Sequence, residues 1–391
     1  MRTQVGIVGA GPAGLTLALL LKRRGIDAVI LEVRDRTYVE QRVRAGLLEH
    51  NTVEVFRALG VASRLDREGL VHHGIHLRRQ GETLRIPITD LTGRTVTVYG
   101  QQEVVKDLIA AWLQRGGDLQ FEVCDVTLNA LDGKRAHITY THDGTDCELE
   151  CDYIAGCDGF HGVSRQTIPA ALRIEHEYVY SFAWLGILAE AEPATDELIY
   201  AWHERGFALY SMRSPTISRL YLQVPADEQL EDWPHDRIWS ELQDRLATEA
   251  WRVNEGPIFD AGITPMRSFV CETMRYQRLL LVGDAAHIVP PTGAKGLNLA
   301  VNDARLLASA LADMYETGDE SALDAYPSTA LRRVWRAQDF SNYMTQLLHD
   351  LGQERFRQRL QLSRLDYLSR SEAYACSLAE NYAGLPAAPD F

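Results

Sequence analysis

Apolar positions along this chain fall into short β-branched runs and longer helical stretches, and their order predicts an α/β protein. Thr3 to Val8 is a short apolar strand, Leu15 to Leu21 continues with helical character until Gly25 stops it, and Ala28 to Leu31 is a second buried strand ending in Glu32. Helical patterning follows at Gly46 to Leu59 and Gln102 to Arg115, with a strand at Leu119 to Val123. From 176 to 270 the pattern turns strand-rich: Tyr178 to Ala189, Glu197 to Trp202, Gly206 to Arg213 and Arg219 to Val224. Arg278 to Gly283 returns to a buried strand of the parallel type. After Gly296 the periodicity is helical in Leu306 to Met314, Leu331 to Met344 and Phe356 to Leu368, and the tail Leu385 to Phe391 reads as irregular. The expected division is a nucleotide-binding domain over 1–175, an inserted β-rich substrate domain over 176–270, a return to the first domain over 271–300, and a helical region over 301–391.

The turn in the first unit points to a nucleotide. Gly9-Ala10-Gly11-Pro12-Ala13-Gly14 has the G-x-G-x-x-G spacing between a strand and a helix. Gly9 permits the tight turn, Gly11 lets backbone approach a pyrophosphate, and Gly14 lets helix and strand pack closely. Pro12 suits the first helical position, where its missing N–H costs nothing, and the helix N-terminus offers donors and positive dipole to phosphate. Glu32, at the tip of the second strand, is placed to accept from ribose hydroxyls. The motif alone does not separate FAD from NAD.

Composition narrows the class. The chain has 391 residues, 46% hydrophobic and 24% charged, as a globular protein of two or three domains does. A formal net charge of −14 argues against nucleic acid and against an anionic membrane as partners. No apolar run reaches the ~20 residues of a membrane-spanning helix, and Met1-Arg2-Thr3 enters a strand without a secretory segment, so a cytoplasmic location is expected. Six cysteines without C-x-x-C spacing read as free thiols. Twelve histidines without ligand spacing give no metal site.

Two later segments have the look of cofactor sites. The strand Arg278 to Val282 stops at Gly283-Asp284, where open α/β sheets bind ligands, and Pro290 to Asn298 then opens a helix whose dipole favours negative charge. Asp152 to Arg165 places Asp158-Gly159 after a short strand, followed by His161 and Arg165. The strands Gly206 to Arg213 and Arg219 to Val224 flank a short connection containing Pro215, so a hairpin is expected. Alternation puts Ser211 and Arg213 on one face, and Arg219 and Tyr221 on one face of the partner strand. An arginine with a hydroxyl two residues away is suited to clamp a carboxylate.

Gly9 to Gly14, Asp158-Gly159 and Gly283-Asp284, in this order and spacing, resemble the group A flavoprotein aromatic hydroxylases. The likeness extends over Arg42 to Gly46, Thr95 to Gln101, Asp152 to Arg165, Gly283 to Leu299 and Glu380 to Pro386, essentially the whole chain. It implies a Rossmann-like FAD-binding domain of the glutathione-reductase type with an inserted β-sheet substrate domain, tightly bound FAD, NADPH or NADH as co-substrate, and a homodimer. It implies FAD contacts at Gly9, Gly11, Gly14, Glu32, Arg42, Val43, Arg44, Ala45, Gly46, Leu47, Gln101, Asp158, Asp284, Gly293, Leu297 and Asn298. The implied reaction is hydroxylation of 4-hydroxybenzoate at the 3-position, by electrophilic oxygen transfer from a flavin C4a-hydroperoxide to an electron-rich ring.

Residue roles follow from the same resemblance. Ser211, Met212, Arg213 and Tyr221 would hold the benzoate, its carboxylate falling to Ser211, Arg213 and Tyr221. Tyr200 would donate to the phenolic oxygen, Tyr382 would relay the proton, His72 would accept it on the solvent side, and Pro291 would offer a backbone carbonyl to the substrate hydroxyl. Arg219 would lie near the flavin. Arg34, Arg44, His161 and Arg267 would contact the nicotinamide dinucleotide, with Val33 and Asp35 weakening any preference for a 2′-phosphate. The alternatives are a hydroxylase of the same fold acting on a related phenolic acid, and a non-catalytic FAD-binding protein.

Overall fold

The computed structural model describes residues 1–44, 46–350, 352 and 355–385. Strand Arg2–Val8 lies parallel between Ala28–Leu31 and Thr145–Gly156. Asp118–Gln120 extends the sheet in parallel on one side and Leu279–Leu281 on the other. Such strands are buried on both faces, so the wall-to-wall apolar runs Ala28–Leu31 and Leu279–Leu281 are what this position requires. Helix Pro12–Arg23 covers one face, with Leu15, Leu17, Leu19 and Leu21 fully buried, and packs against helices Gln101–Gln114 and Gly296–Thr317.

Three of these parallel strands end at the same edge. Arg2–Val8 runs into Gly9, Thr145–Gly156 into Asp158, and Leu279–Leu281 into Gly283 and Asp284. The Cys157 N–H donates to the Val8 carbonyl at 2.8 Å and the Val282 N–H to Gly156 at 2.9 Å, so the three turns emerge side by side. Segments far apart in sequence thus share the crevice at the carboxyl ends of a parallel sheet.

A second sheet orders its strands as His287–Ile288, Ile258–Cys271, Glu175–Ala189, Ile217–Pro225, Ala208–Ser214, Ile199–Trp202, Ile75–Arg79 and Glu82–Ile86. The expected hairpin is present, Ala208–Ser214 pairing antiparallel with Ile217–Pro225. The sheet also recruits three strands from outside 176–270: Ile75–Arg79 pairs in parallel with Ile199–Trp202, Glu82–Ile86 follows it at the edge, and His287–Ile288 pairs with Ile258–Cys271 at the other edge. Periodicity identifies a strand but not the sheet it joins. The helix expected over Gly46 to Leu59 is shorter, His50–Ala58, because Leu47–Leu48 instead pairs with Val96–Val98. Helices Ser321–Leu348, Arg355–Arg370 and Glu372–Ala383 complete the C-terminal region, and the tail beyond Leu385 lies outside the described residues.

Gly14 shows how tightly the nucleotide unit is packed. A Cβ at this position would lie 2.1 Å from the Gly9 carbonyl oxygen and 3.1 Å from Ile7, with rigid backbone as the obstacle. Gly14→Ala is therefore expected to destabilise the domain by about 2–3 kcal/mol and to lower retained flavin. Denaturant unfolding together with the flavin-to-protein absorbance ratio checks this; wild-type values for both would contradict it.

Candidate functional site

The dinucleotide turn is formed by what glycine allows. Gly9 sits at φ +107, and a Cβ there would meet the Cys157 carbonyl at 2.4 Å. Gly11 has no atom within 4 Å of its missing Cβ, so the turn opens outward at the position where backbone must approach a phosphate. Glu32 is nearly buried: Oε2 accepts from the Ala10 N–H at 2.7 Å and Oε1 from the Arg34 N–H at 2.9 Å. Its carboxylate first holds the turn together, and the remaining lone pairs are what it can offer a ribose. Asp158 plays a similar part, accepting from the Ser164 N–H at 2.8 Å while its Oδ1 is buried without a partner.

Across the crevice stand Arg42, Val43 and Arg44, all exposed, with Ala45 outside the described residues. Asp284 is open to solvent, yet enclosing walls push its carboxyl above the ordinary value, and His287, Arg44 and Arg42 partly offset that loss of water. Burial and the neighbouring Arg42 lower Arg44, and Asp284 pulls the other way. A guanidinium pair and a carboxylate are therefore close enough to act on one another, with no ion pair between them among the described residues. Gln101 opens helix Gln101–Gln114, and Leu47 is buried. A Cβ on Gly46 would strike the Tyr99 carbonyl at 2.2 Å, so this glycine serves close packing.

Asn298 is expected to contact FAD, and its side chain is engaged within the protein. Its amide oxygen accepts from the Glu49 N–H at 2.9 Å, and Nδ2 donates to Leu47 at 3.0 Å and Ala294 at 2.9 Å. What Leu297 and Asn298 can offer a cofactor is the free N–H groups of the first turn of helix Gly296–Thr317. Gly293 is likewise a packing glycine, because a Cβ would lie 2.5 Å from the Ser341 hydroxyl. Open glycine backbone at Gly11, an orphaned oxygen on Asp158, free helix N-termini and the exposed Arg42, Arg44 and Asp284 together fit a dinucleotide with a flavin ring.

On the second sheet, strand alternation sorts the side chains. Ser211 opposes Arg219, and Leu209 lies between Tyr200 and Tyr221 in register, so these side chains share one face. Ser211, Arg213, Arg219 and Tyr221 are half-buried, whereas Met212, Ser218, Leu220 and Leu222 point into the core on the other side. The Met212 side chain faces away from that surface. It is 2% exposed and packs with Tyr210, Leu220 and Trp239, because a residue between Ser211 and Arg213 must face away from them.

Arg213 is an unusual cation. Its Nη2 donates to the Gln102 side-chain oxygen, and it stands beside Gly100. Burial and the adjacent Arg219 bring its pKa down to about 10. The Nε and Nη1 of Arg219 are buried with no partner, and its guanidinium lies 5.1 Å from the Tyr221 ring centre. No carboxylate pairs with either arginine among the described residues. Two desolvated positive charges on one face, with donors to spare, have the chemistry to receive an anion.

Tyr200 is on the same face, and its hydroxyl lies 2.7 Å from that of Tyr382, both rings being fully buried. Burial raises both phenols above the ordinary value, so each stays protonated near neutrality. A network that the sequence did not suggest supports Tyr382: Lys295 donates to its backbone carbonyl at 3.0 Å and to Glu49 at 2.6 Å, and Arg333 also pairs with Glu49. Burial alone would raise the Glu49 carboxyl, but Lys295 and Arg333 reverse this and hold it low. Glu49 and Lys295 are 246 residues apart, and no local pattern reports such a pair. The His287–Asp303 contact at 2.6 Å, which braces the Gly283 turn, was missed for the same reason.

His72 differs most from expectation. It is 0% exposed rather than at the solvent side, and neither ring nitrogen has a partner among the described residues. Burial brings its pKa down to about 4, with Glu197 and Asp196 opposing. In this conformation the ring is the neutral imidazole, with a single N–H and one bare nitrogen. The Pro291 carbonyl already accepts from the Ala294 N–H at 2.9 Å, leaving one lone pair for another donor. Among the nicotinamide candidates, His161 and Arg267 converge on Phe160, each 5.0 Å from its ring centre. Arg34 instead lies over Tyr38 at 5.1 Å, beside Arg42.

Comparison with known proteins places this geometry. Residues 2–341 match the family model described as an FAD binding domain. The chain is 47% identical over 389 residues, 99% of its length and 96% of the relative's, to p-hydroxybenzoate hydroxylase of Acinetobacter baylyi. It is 28% identical to 3-amino-4-hydroxybenzoate 2-monooxygenase of Streptomyces cremeus over 353 residues, 85% of this chain and 84% of that one. The crystal structure of p-nitrophenol 4-monooxygenase from Pseudomonas putida superposes with a TM-score of 0.85 at 16% identity, covering 99% of this chain and 100% of that one, a likeness of fold.

The buried His72 gives a signed pH dependence. Its folded value of about 4 lies below the ordinary 6.5, so the unfolded chain takes up a proton between these values that the folded chain does not. Its contribution is complete above pH 6.5 and is lost as pH falls towards 4. Relative to His72→Leu, the wild-type protein is expected to lose about 3 kcal/mol over that interval. Denaturant unfolding at several pH values measures the difference, and parallel curves would contradict it.

Proposed function

This chain belongs to the FAD-binding group A flavoprotein hydroxylases, and on that premise we propose that it converts 4-hydroxybenzoate to 3,4-dihydroxybenzoate with O2 and NAD(P)H. The observation that carries this reading is a single sheet face with Arg213 and Arg219, neither with a carboxylate partner among the described residues, at one end and the Tyr200–Tyr382 hydroxyl pair at the other. A 4-hydroxybenzoate has its anion and its phenol at opposite ends of one ring, and this face offers the complementary groups in that arrangement.

Reduced FAD in the crevice would supply electrophilic oxygen derived from O2. The chain's own residues make the substrate ready to receive it. Arg213, with the Ser211 and Tyr221 hydroxyls, binds the carboxylate and relieves the strain of two uncompensated cations. Tyr200, kept a neutral phenol by burial, donates to the substrate oxygen and favours its ionised form. Tyr382 takes the proton onward through the 2.7 Å contact, and buried Lys295 at its backbone adds positive potential. His72 can serve as final acceptor only after water reaches its ring, so the relay requires local opening. The closed aromatic surroundings exclude water from the reacting ring.

For the co-substrate, His161 and Arg267 flank Phe160 as a site for the dinucleotide of NAD(P)H. Arg36 is already paired with Glu40 at 2.7 Å, leaving Arg34 as the cation near Glu32 and supporting use of NADH as well as NADPH. A second copy of the chain is the proposed partner, supported by the exposed apolar side chains of Leu172, Ile174, Tyr178 and Val179.

The function is tested by product analysis: purified protein with FAD, O2, NAD(P)H and 4-hydroxybenzoate should yield 3,4-dihydroxybenzoate, and its absence rejects the reading. Arg213→Ala is expected to lower kcat/KM by about 2–5 kcal/mol, mainly through KM, as truncating a desolvated charge pair does. An unchanged KM would remove Arg213 from the carboxylate site. Tyr200→Phe should leave substrate-stimulated NAD(P)H oxidation working while most of the reducing power appears as H2O2. Wild-type coupling in that variant would show that Tyr200 does not activate the ring.

A further inference from the structure

On the same sheet face, beside Tyr221 and Tyr200, lies an aromatic stack that the proposed chemistry does not use. Trp184 packs on Tyr221 with ring centres 4.9 Å apart, and Phe207 lies against both Trp184 at 5.2 Å and Tyr200 at 6.2 Å. The far end of the stack is His349, which caps helix Ser321–Leu348 and is 0% exposed. Its ring stacks on Phe207 at 4.2 Å and on Phe182 at 4.7 Å.

The tautomer of this histidine follows from its partners. Nδ1 lies 3.1 Å from the Thr345 carbonyl, which can only accept, so Nδ1 carries the hydrogen. Nε2 is then a bare acceptor, and the Trp184 indole N–H donates to it at 2.7 Å. The two rings are within 7° of coplanar with centres 5.7 Å apart, the geometry of an in-plane hydrogen bond rather than a face-to-face stack. Burial holds the imidazole neutral, with a pKa of about 3. The helix end is itself tied down, since Gln361 donates to the His349 carbonyl at 2.7 Å and accepts from the Trp202 indole at 2.9 Å.

We propose that His349 is a positioning residue for the aromatic-acid pocket: by accepting the Trp184 indole N–H it fixes the indole wall on which Tyr221 rests. This rests on the reading above that the Tyr221 face binds the substrate. A leucine or phenylalanine at 349 would fill the space but leave a buried indole donor unpaired, and the indole would rotate to find another acceptor. The wall against Tyr221 would move with it, although His349 touches no substrate.

The test separates hydrogen bonding from stacking. His349→Gln keeps an acceptor but loses the aromatic stack, and His349→Phe does the reverse. Binding of 4-hydroxybenzoate is read from perturbation of the flavin spectrum, alongside KM and kcat. We expect His349→Phe to raise Kd and KM about tenfold with kcat little changed, and His349→Gln to stay within about threefold of wild type. In a Trp184→Phe background, which has no indole donor, His349→Phe should add no further loss. The Trp184 indole N–H resonance, identified by its absence in Trp184→Phe, should shift in His349→Phe without any ligand present. Tighter binding by His349→Phe than by His349→Gln, equal losses in both backgrounds, or an unmoved indole resonance would each overturn the proposal. A wild-type protein that fails to bind 4-hydroxybenzoate while the resonance shifts as expected would instead sink the substrate reading and, with it, the claim on that pocket.

Discussion

Two guanidinium groups without counter-ions, Arg213 and Arg219, are the constraint around which the rest of this molecule makes sense. Each sits half-buried on one face of a hairpin, and neither has a carboxylate partner among the described residues. Removing a charge from water without a partner is costly, and a fold retains such an arrangement where an anion arrives from outside. The sheet enforces the geometry. Alternation keeps Ser211, Arg213, Arg219 and Tyr221 facing the same way, while the opposite side chains lock the hairpin onto helix His235–Leu246.

The other end of the face is built from distant pieces. Tyr200 comes from a strand in the middle of the chain, Tyr382 from the last helix, and the Glu49–Lys295–Arg333 cluster that supports Tyr382 from three further segments. That cluster couples the flavin crevice to the phenol end, since Asn298 on the same helix as the free N–H groups also anchors the Glu49 backbone. The Tyr382 end of the face and the first turn of helix Gly296–Thr317 therefore share supports, and a shift in one carries to the other.

Much of this was legible in sequence because local geometry writes itself locally. The glycine turn could be read because Gly9 and Gly14 each meet backbone that no side chain could clear, and the hairpin could be read because strand period fixes which residues share a face. The same period turns the Met212 side chain away from Ser211 and Arg213, so what this residue can offer a ligand on that face is backbone. Asn298, Glu32 and Asp158 were assigned to ligand, but their side chains first satisfy backbone donors at the turns they hold. Burial of His72 and the pairs Glu49–Lys295 and Trp184–His349 depend on tertiary packing across long separations, where sequence spacing carries no signal. Recruitment of Ile75–Arg79 into the second sheet belongs to the same class.

The central claim is that one pocket holds an aromatic acid by its anion while drawing the proton from its opposite oxygen. The ionisation of bound 4-hydroxybenzoate, followed by its near-ultraviolet absorbance as pH is varied, measures this directly. A phenol in water ionises near pH ~10, and the account predicts a clearly lower midpoint for the bound ligand, with the shift reduced in Tyr200→Phe. A bound phenol that still ionises at its aqueous value would contradict it.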